Sequence, residues 1–168
     1  MNTPVERYLF ADDGVIPNSP LPVVLYRRVW AGADLSSWLE NRFKTHHWTN
    51  NWRDIILPYD HFHSTTHEVL GVGKGRVKLH IGGQKGETLT VSEGDVLIIP
   101  AGVGHFALPQ DDPYEIVGGY PDGRSWDLLR GSAEERMDAL SRIAQLPLPQ
   151  TDPIFGADGP LRSVWHSV

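Results

Sequence analysis

The stretch that decides the fold is His61-Phe62-His63-Ser64-Thr65-Thr66-His67-Glu68-Val69-Leu70-Gly71-Val72-Gly73-Lys74-Gly75. Side chains alternate along an extended chain, so His61 and His63 project to one face, close enough to share an ion, while Phe62 points away. Four residues of turn follow, and Glu68 opens an apolar run in which a neighbouring carboxylate would complete such a site. A second element, Gly94-Asp95-Val96-Leu97-Ile98-Ile99-Pro100-Ala101-Gly102-Val103-Gly104-His105, is a strand ending in a Pro/Gly turn that delivers one more histidine. Five of the eight histidines lie between His61 and His105.

The surrounding chain has the same character. Between Trp52 and Tyr120 the apolar runs are short: Ile55–Leu57, Glu68–Val72, Arg76–Ile81, Thr88–Val91, Val96–Ile99 and Tyr114–Val117. Gly, Pro and Asp separate them. Short strands at close spacing with turn signals between them predict an antiparallel sandwich or barrel over about residues 50–120. Upstream, residues 1–49 read as an extension: turns to Pro22, a strand over Val23–Trp30, and a helix over Asp34–Lys44. In that helix Leu35, Trp38, Leu39, Arg42 and Phe43 share a face and Asp34 is the N-cap. Downstream, residues 121–168 hold a second helix and a wrapping tail. Ser132-Ala133-Glu134-Glu135 has capping-box form, Met137, Leu140 and Ala144 lie on one helical face, and Pro147 stops the helix. The whole chain, 1–168, is expected to form one domain.

Composition narrows the function. Apolar residues make up 40% and charged residues 21%, as in ordinary globular proteins. The net charge of −6, with fifteen basic residues scattered among twenty-one acidic ones, argues against a nucleic-acid surface. Cysteine is absent, which excludes disulfides, thiolate metal sites and a cysteine nucleophile. The first twenty residues carry Glu6, Asp12 and Asp13 and lack a secretory pattern, and no run has the roughly 20 apolar residues of a membrane span. The expected setting is the cytoplasm, without a membrane partner.

His61-x-His63, four residues, Glu68, six residues, Gly75 resembles the first motif of the cupin superfamily. Gly94, five residues, Pro100-x-Gly102, two residues, His105 resembles the second. His-Ser-Thr-Thr-His-Glu-Val-Leu-Gly further resembles small uncharacterised bacterial cupins. In two places the pattern departs: Ile55 stands where the first motif usually opens on Gly, and Pro109 where the second usually closes on Asn. Neither is a ligand position in the family. The resemblance implies an all-β double-stranded β-helix, or jelly roll, with an N-terminal and a C-terminal helix. It also implies that His61, His63, Glu68 and His105 ligate one divalent transition metal inside the barrel.

Three imidazoles and a carboxylate suit Fe, Mn, Ni, Cu or Zn and leave positions open to a small molecule. His67 competes with Glu68, because adjacent strand residues face opposite ways; a set of His63, His67 and His105 is the alternative. Arg53 and Tyr59, counted back by twos from His61, would face the barrel interior: Arg53 as a clamp for a substrate carboxylate or phosphate, Tyr59 or His67 as a base. Tyr120 and Trp126 fall either at the barrel mouth or in the core. The expected activity is that of a metal-dependent oxygenase or isomerase/lyase on a small polar organic molecule. The alternative is a non-catalytic metal- or metabolite-binding module. A homodimer formed through the Val23–Trp30 run is also expected.

Overall fold

The computed structural model describes residues 4–166; the first three and last two residues of the expected 1–168 domain lie outside it. Among the described residues nine strands form two antiparallel sheets. The larger has the order β1(Glu6–Phe10), β2(Ser19–Tyr26), β7(Val96–Ile99), β4(Glu68–Lys74), β9(Glu115–Pro121), β3(Trp48–Asp54). The smaller has the order β6(Glu87–Ser92), β5(Arg76–Ile81), β8(His105–Ala107). Helices α1(Leu35–Thr45), α2(Ala133–Gln145) and α3(Pro160–His166) complete the chain.

Alternation along β4 explains the layering. Leu70 and Val72 point between the sheets, where they join Val23, Leu25, Leu79, Ile81, Leu97 and Ile99. Val69 points the other way, into a second core with Val24, Tyr26, Leu39, Phe43, Trp48, Val117 and Trp165. The large sheet is therefore apolar on both faces, and β4 is buried from Glu68 to Gly73 rather than in an in-out pattern. Its outer face touches α1 closely: a Cβ on Gly73 would lie 1.9 Å from Ser36 Oγ. Only glycine fits there.

Asp34 caps α1 in a left-handed conformation and accepts hydrogen bonds from the Ser37 amide at 3.3 Å and the Ser37 hydroxyl at 2.8 Å. The buried face of α1 is Leu35, Ser36, Leu39 and Phe43. Trp38 is half-buried and stacks on Trp30.

Several segments depart from the sequence reading. The expected strand Val23–Trp30 is shifted to Ser19–Tyr26, because the chain turns out of the sheet at Arg28, whose φ is 45°. This strand pairs with β1 on one side and β7 on the other, so it offers no free edge for a dimer; the outermost strands of the larger sheet are β1 and β3. Strand β1 lies within the segment read as turns, and β3 straddles the expected boundary between the extension and the barrel. Ile55–Leu57 is not a strand. Helix α2 begins after Ser132, but the Ser132 side chain makes no capping hydrogen bond. Its inner face is Ala139, with Ile143 packed beside it against Phe62 and Leu129. Met137 is 78% exposed. The tail ends in α3, whose Leu161, Val164 and Trp165 are buried. Among the described residues no helix is long and apolar enough to cross a membrane.

Candidate metal centre

His61, His63, Glu68 and His105 are all buried at one end of the space between the sheets. His105 begins β8 and pairs backbone to backbone with His61, each amide donating to the other's carbonyl at 3.0 and 3.4 Å. Between them runs the turn of the second motif. Gly102 has a φ of 96°, and its amide donates to the His63 carbonyl at 2.8 Å, which fixes the two histidine-bearing segments against each other.

Each imidazole is held by its Nδ1. The acceptors are backbone carbonyls: Tyr59 for His61 at 2.9 Å, Asp127 for His63, and Val103 for His105 at 3.0 Å. A carbonyl oxygen only accepts, so each Nδ1 carries the proton and each Nε2 presents a lone pair. One ring nitrogen from each of the three lies within 4.8 Å of the others. Glu68 Oε1 sits 3.4 Å from His63 Nε2 and 3.2 Å from His105 Nε2, yet it is buried without a hydrogen bond. The other oxygen, Oε2, accepts from the Tyr120 hydroxyl at 2.8 Å, which in turn accepts from Trp52 Nε1 at 2.8 Å. Lone pairs converging on a bare carboxylate oxygen repel one another unless a cation stands among them. The donor set, all nitrogen and oxygen, fits a divalent transition metal held by His61, His63, His105 and Glu68.

Charge follows the same logic. Burial and the neighbouring His105 push His61 down to about 3. Burial also acts against a charged His63, but the Glu68 carboxylate outweighs it and raises His63 above its ordinary value. Burial alone would raise Glu68; the facing imidazoles of His63 and His105 hold it well below the usual carboxylate range. Without metal, a proton on His63 thus stands in for the ion. Metal must displace that proton, so affinity is expected to fall about tenfold per pH unit below the raised His63 titration and to level off above it. Calorimetry of Zn(II) binding in buffers of different ionisation enthalpy checks this; release of no proton at pH 6 would contradict it.

Glu68 and His67 point to opposite faces of the sheet. The His67 ring packs on Trp165, with centroids 4.9 Å apart, and its Nδ1 accepts from the Ala101 amide at 2.9 Å. Burial pushes it down to about 4. His67 therefore belongs to the second core, and the alternative set of His63, His67 and His105 is not brought together. Arg53 faces outward, paired with Glu40 at 2.9 Å and donating to Ser37 Oγ at 3.2 Å. Its expected inward position assumed unbroken alternation to His61, but the strand ends at Asp54 and the chain from Ile55 to Asp60 is irregular. Trp52 takes the inward place instead. The Tyr59 ring, covered by the Arg130 guanidinium at 4.2 Å, meets the His61 ring edge to face with centroids 5.9 Å apart, and its backbone carbonyl accepts from His61 Nδ1.

Above the cluster opens a cavity of about 350 Å³. Trp52, Ile56, Leu57, Leu70 and Tyr120 wall it, and Ile55 and Trp126 stand at its exposed rim. Trp126 meets the His63 ring edge to face, with centroids 5.7 Å apart. The next residue, Asp127, fastens this segment: its carboxylate accepts from the amides of Ser64 at 2.6 Å and Thr65 at 3.2 Å and from the Ser64 hydroxyl. Nothing in the sequence pattern marks Asp127, whose partners lie more than sixty residues away.

An antiparallel two-sheet barrel with histidines from two motifs converging inside it defines a cupin. A family model described as a cupin domain matches residues 57–116, and the chain belongs to the cupin family. Over 166 residues it is 38% identical to the uncharacterized protein YjlB of Bacillus subtilis (strain 168), covering 98% of this chain and 99% of that one. Among solved structures it is similar to the TDP-quinovose 3,4-ketoisomerase WlaRB of Campylobacter jejuni, at 12% identity and a TM-score of 0.43 over 52% of this chain and 72% of that one. It is also similar to the acireductone dioxygenase of Bacillus anthracis, with cadmium in its active centre, at 14% identity and a TM-score of 0.41 over 73% and 80%. These structural likenesses extend to the fold alone.

Proposed function

We propose that this cupin is a metal-dependent enzyme acting on a small organic molecule, and that the chemistry is of the oxygenase type. The observation that carries the reading is the cavity, which opens directly onto the three histidines and the unpartnered Glu68 Oε1. A metal there would activate a small molecule as a Lewis acid or redox centre. The chain's own residues supply the frame. Three carbonyls orient the imidazoles, Tyr120 occupies Glu68 Oε2 so that Oε1 faces the cluster, and apolar walls exclude water.

An isomerase or lyase needs a protein base beside the substrate. Arg53 and His67 point elsewhere, and the Tyr59 ring lies between Arg130 and His61, outside the cavity lining. Outside the cluster, the titratable groups lining the cavity among the described residues are Tyr120 and Asp54. Tyr120 is buried and raised by burial and by Glu68, and it already donates to Glu68, while Asp54 stands exposed at the rim. That scarcity favours a reaction in which the metal, not a side chain, does the work. It also keeps open the non-catalytic binding module, for which a protein base is equally unnecessary.

Nitric oxide, added anaerobically to Fe(II)-loaded protein, tests the reading. The EPR signal of a ferrous nitrosyl centre is expected. No signal at full iron loading would mean a closed site and would favour the binding module.

A further inference from the structure

We infer that the molecule taken by the cavity carries at most one negative charge, at the group that meets the cluster, and that the rest of it is a flat, largely apolar body. The inference rests on reading the cluster as a metal centre and concerns what lies above it. Phosphorylated compounds and polycarboxylates are the classes it excludes.

Charge is the first support. No lysine or arginine lines the cavity among the described residues. Of the three arginines nearby in sequence, Arg53 is committed to Glu40 and Arg130 to the Tyr59 ring, and Arg124 is exposed outside the lining. The acidic groups that line it are Glu68 at the floor and Asp54 at the rim. A divalent ion balanced by Glu68 keeps one positive charge, which matches one anionic donor. A second anionic group would lie against apolar walls with Asp54 above it, and a buried charge without a partner is strongly disfavoured.

The walls are the second support. Trp52 and Tyr120 bring polar atoms, but Trp52 Nε1 donates to the Tyr120 hydroxyl and that hydroxyl donates to Glu68, so these donors are already used. Asn51 also lines the cavity, its amide nitrogen donating to the Trp48 and Gly118 carbonyls while Oδ1 is left as a lone neutral acceptor, and Asn50 stands exposed at the rim; the rest of the wall is carbon, from the rings and from Ile56, Leu57 and Leu70. The volume lies near the small end of ligand pockets, enough for a compact molecule of about one or two rings. Trp126, 46% exposed beside the His63 ring, offers a further aromatic surface at the mouth.

Three probes that bind metal through paired oxygens separate the classes: benzohydroxamate, acetohydroxamate and oxalate. Each is titrated into Co(II)-loaded protein and followed by tryptophan fluorescence and by the visible cobalt bands. Affinities are expressed relative to those for free Co(II). Benzohydroxamate is expected to bind roughly 10- to 100-fold more tightly than acetohydroxamate, from burial of its ring, and oxalate more weakly than either. Trp126→Ala is expected to narrow the gap between the two hydroxamates while cobalt uptake persists. Equal binding of the hydroxamates, or oxalate as tight as benzohydroxamate, would overturn the inference and leave the metal centre standing. Failure to take up Co(II) at all would sink both.

Discussion

The His61→Ala, His105→Ala double variant is expected to emerge from purification without metal, while the unmodified protein holds about one equivalent by elemental analysis. The loss should exceed the roughly 10- to 100-fold that removal of an outer partner of a ligand costs, because two donors vanish at once. Thermal stability should follow. A ligand that binds only the folded state at 1,000 times its dissociation constant stabilises by about 4 kcal/mol. For a chain of this size that corresponds to roughly 8–16 °C in the melting temperature. Adding Zn(II) or Ni(II) to metal-free protein should therefore raise the melting temperature by that order, and the double variant should not respond. His105→Gln, which nearly preserves side-chain volume, guards against a trivial folding defect: it should fold, keep its circular dichroism and still fail to respond. Full metal retention by either variant would remove the basis for the centre.

Both motif segments were legible because their spacing is local. Gly75, Gly94 and Gly102 each take a positive φ at a turn, and between such turns the strands Arg76–Ile81 and Val96–Ile99 fall where the apolar runs lie. The choice between Glu68 and His67 was not legible. Both flank the same strand start, and the outcome depends on Trp165, which covers the outer face nearly one hundred residues later and takes His67 with it. The misplacement of Arg53 has a similar cause, since counting by twos fails wherever the ladder stops, and it stops at Asp54. The apolar face expected of helix α2 is Met137, Leu140 and Ala144, but contact with the distant Phe62 and Leu129 turns Ala139 and Ile143 inward instead. Asp127 and Tyr120 act through hydrogen bonds to residues more than fifty positions away, and no local pattern encodes such pairs.

Truncation of Trp165 in α3 should expose how far the tail is part of the protein rather than a wrapping. This residue is 1% exposed, packs on His67 and donates from Nε1 to the Pro22 carbonyl at 2.9 Å, so it ties the tail to β2 and β4 together. Replacing a buried tryptophan by alanine costs about 3–5 kcal/mol through lost transfer energy and the cavity left behind. At a urea slope of about 2 kcal/mol/M, the unfolding midpoint should drop by roughly 2 M with the slope unchanged. Trp165→Phe keeps most of the apolar area and loses the hydrogen bond, so it should cost only about 1–2 kcal/mol. The two faces of β4 then make a sharper test. Glu68 points away from Trp165, so folded Trp165→Ala should still bind one equivalent of metal despite its lowered stability. A midpoint shift below about 0.5 M would mean that the tail does not seal the second core. Loss of metal from the folded variant would mean that His67 and the outer core set the position of Glu68 across the sheet.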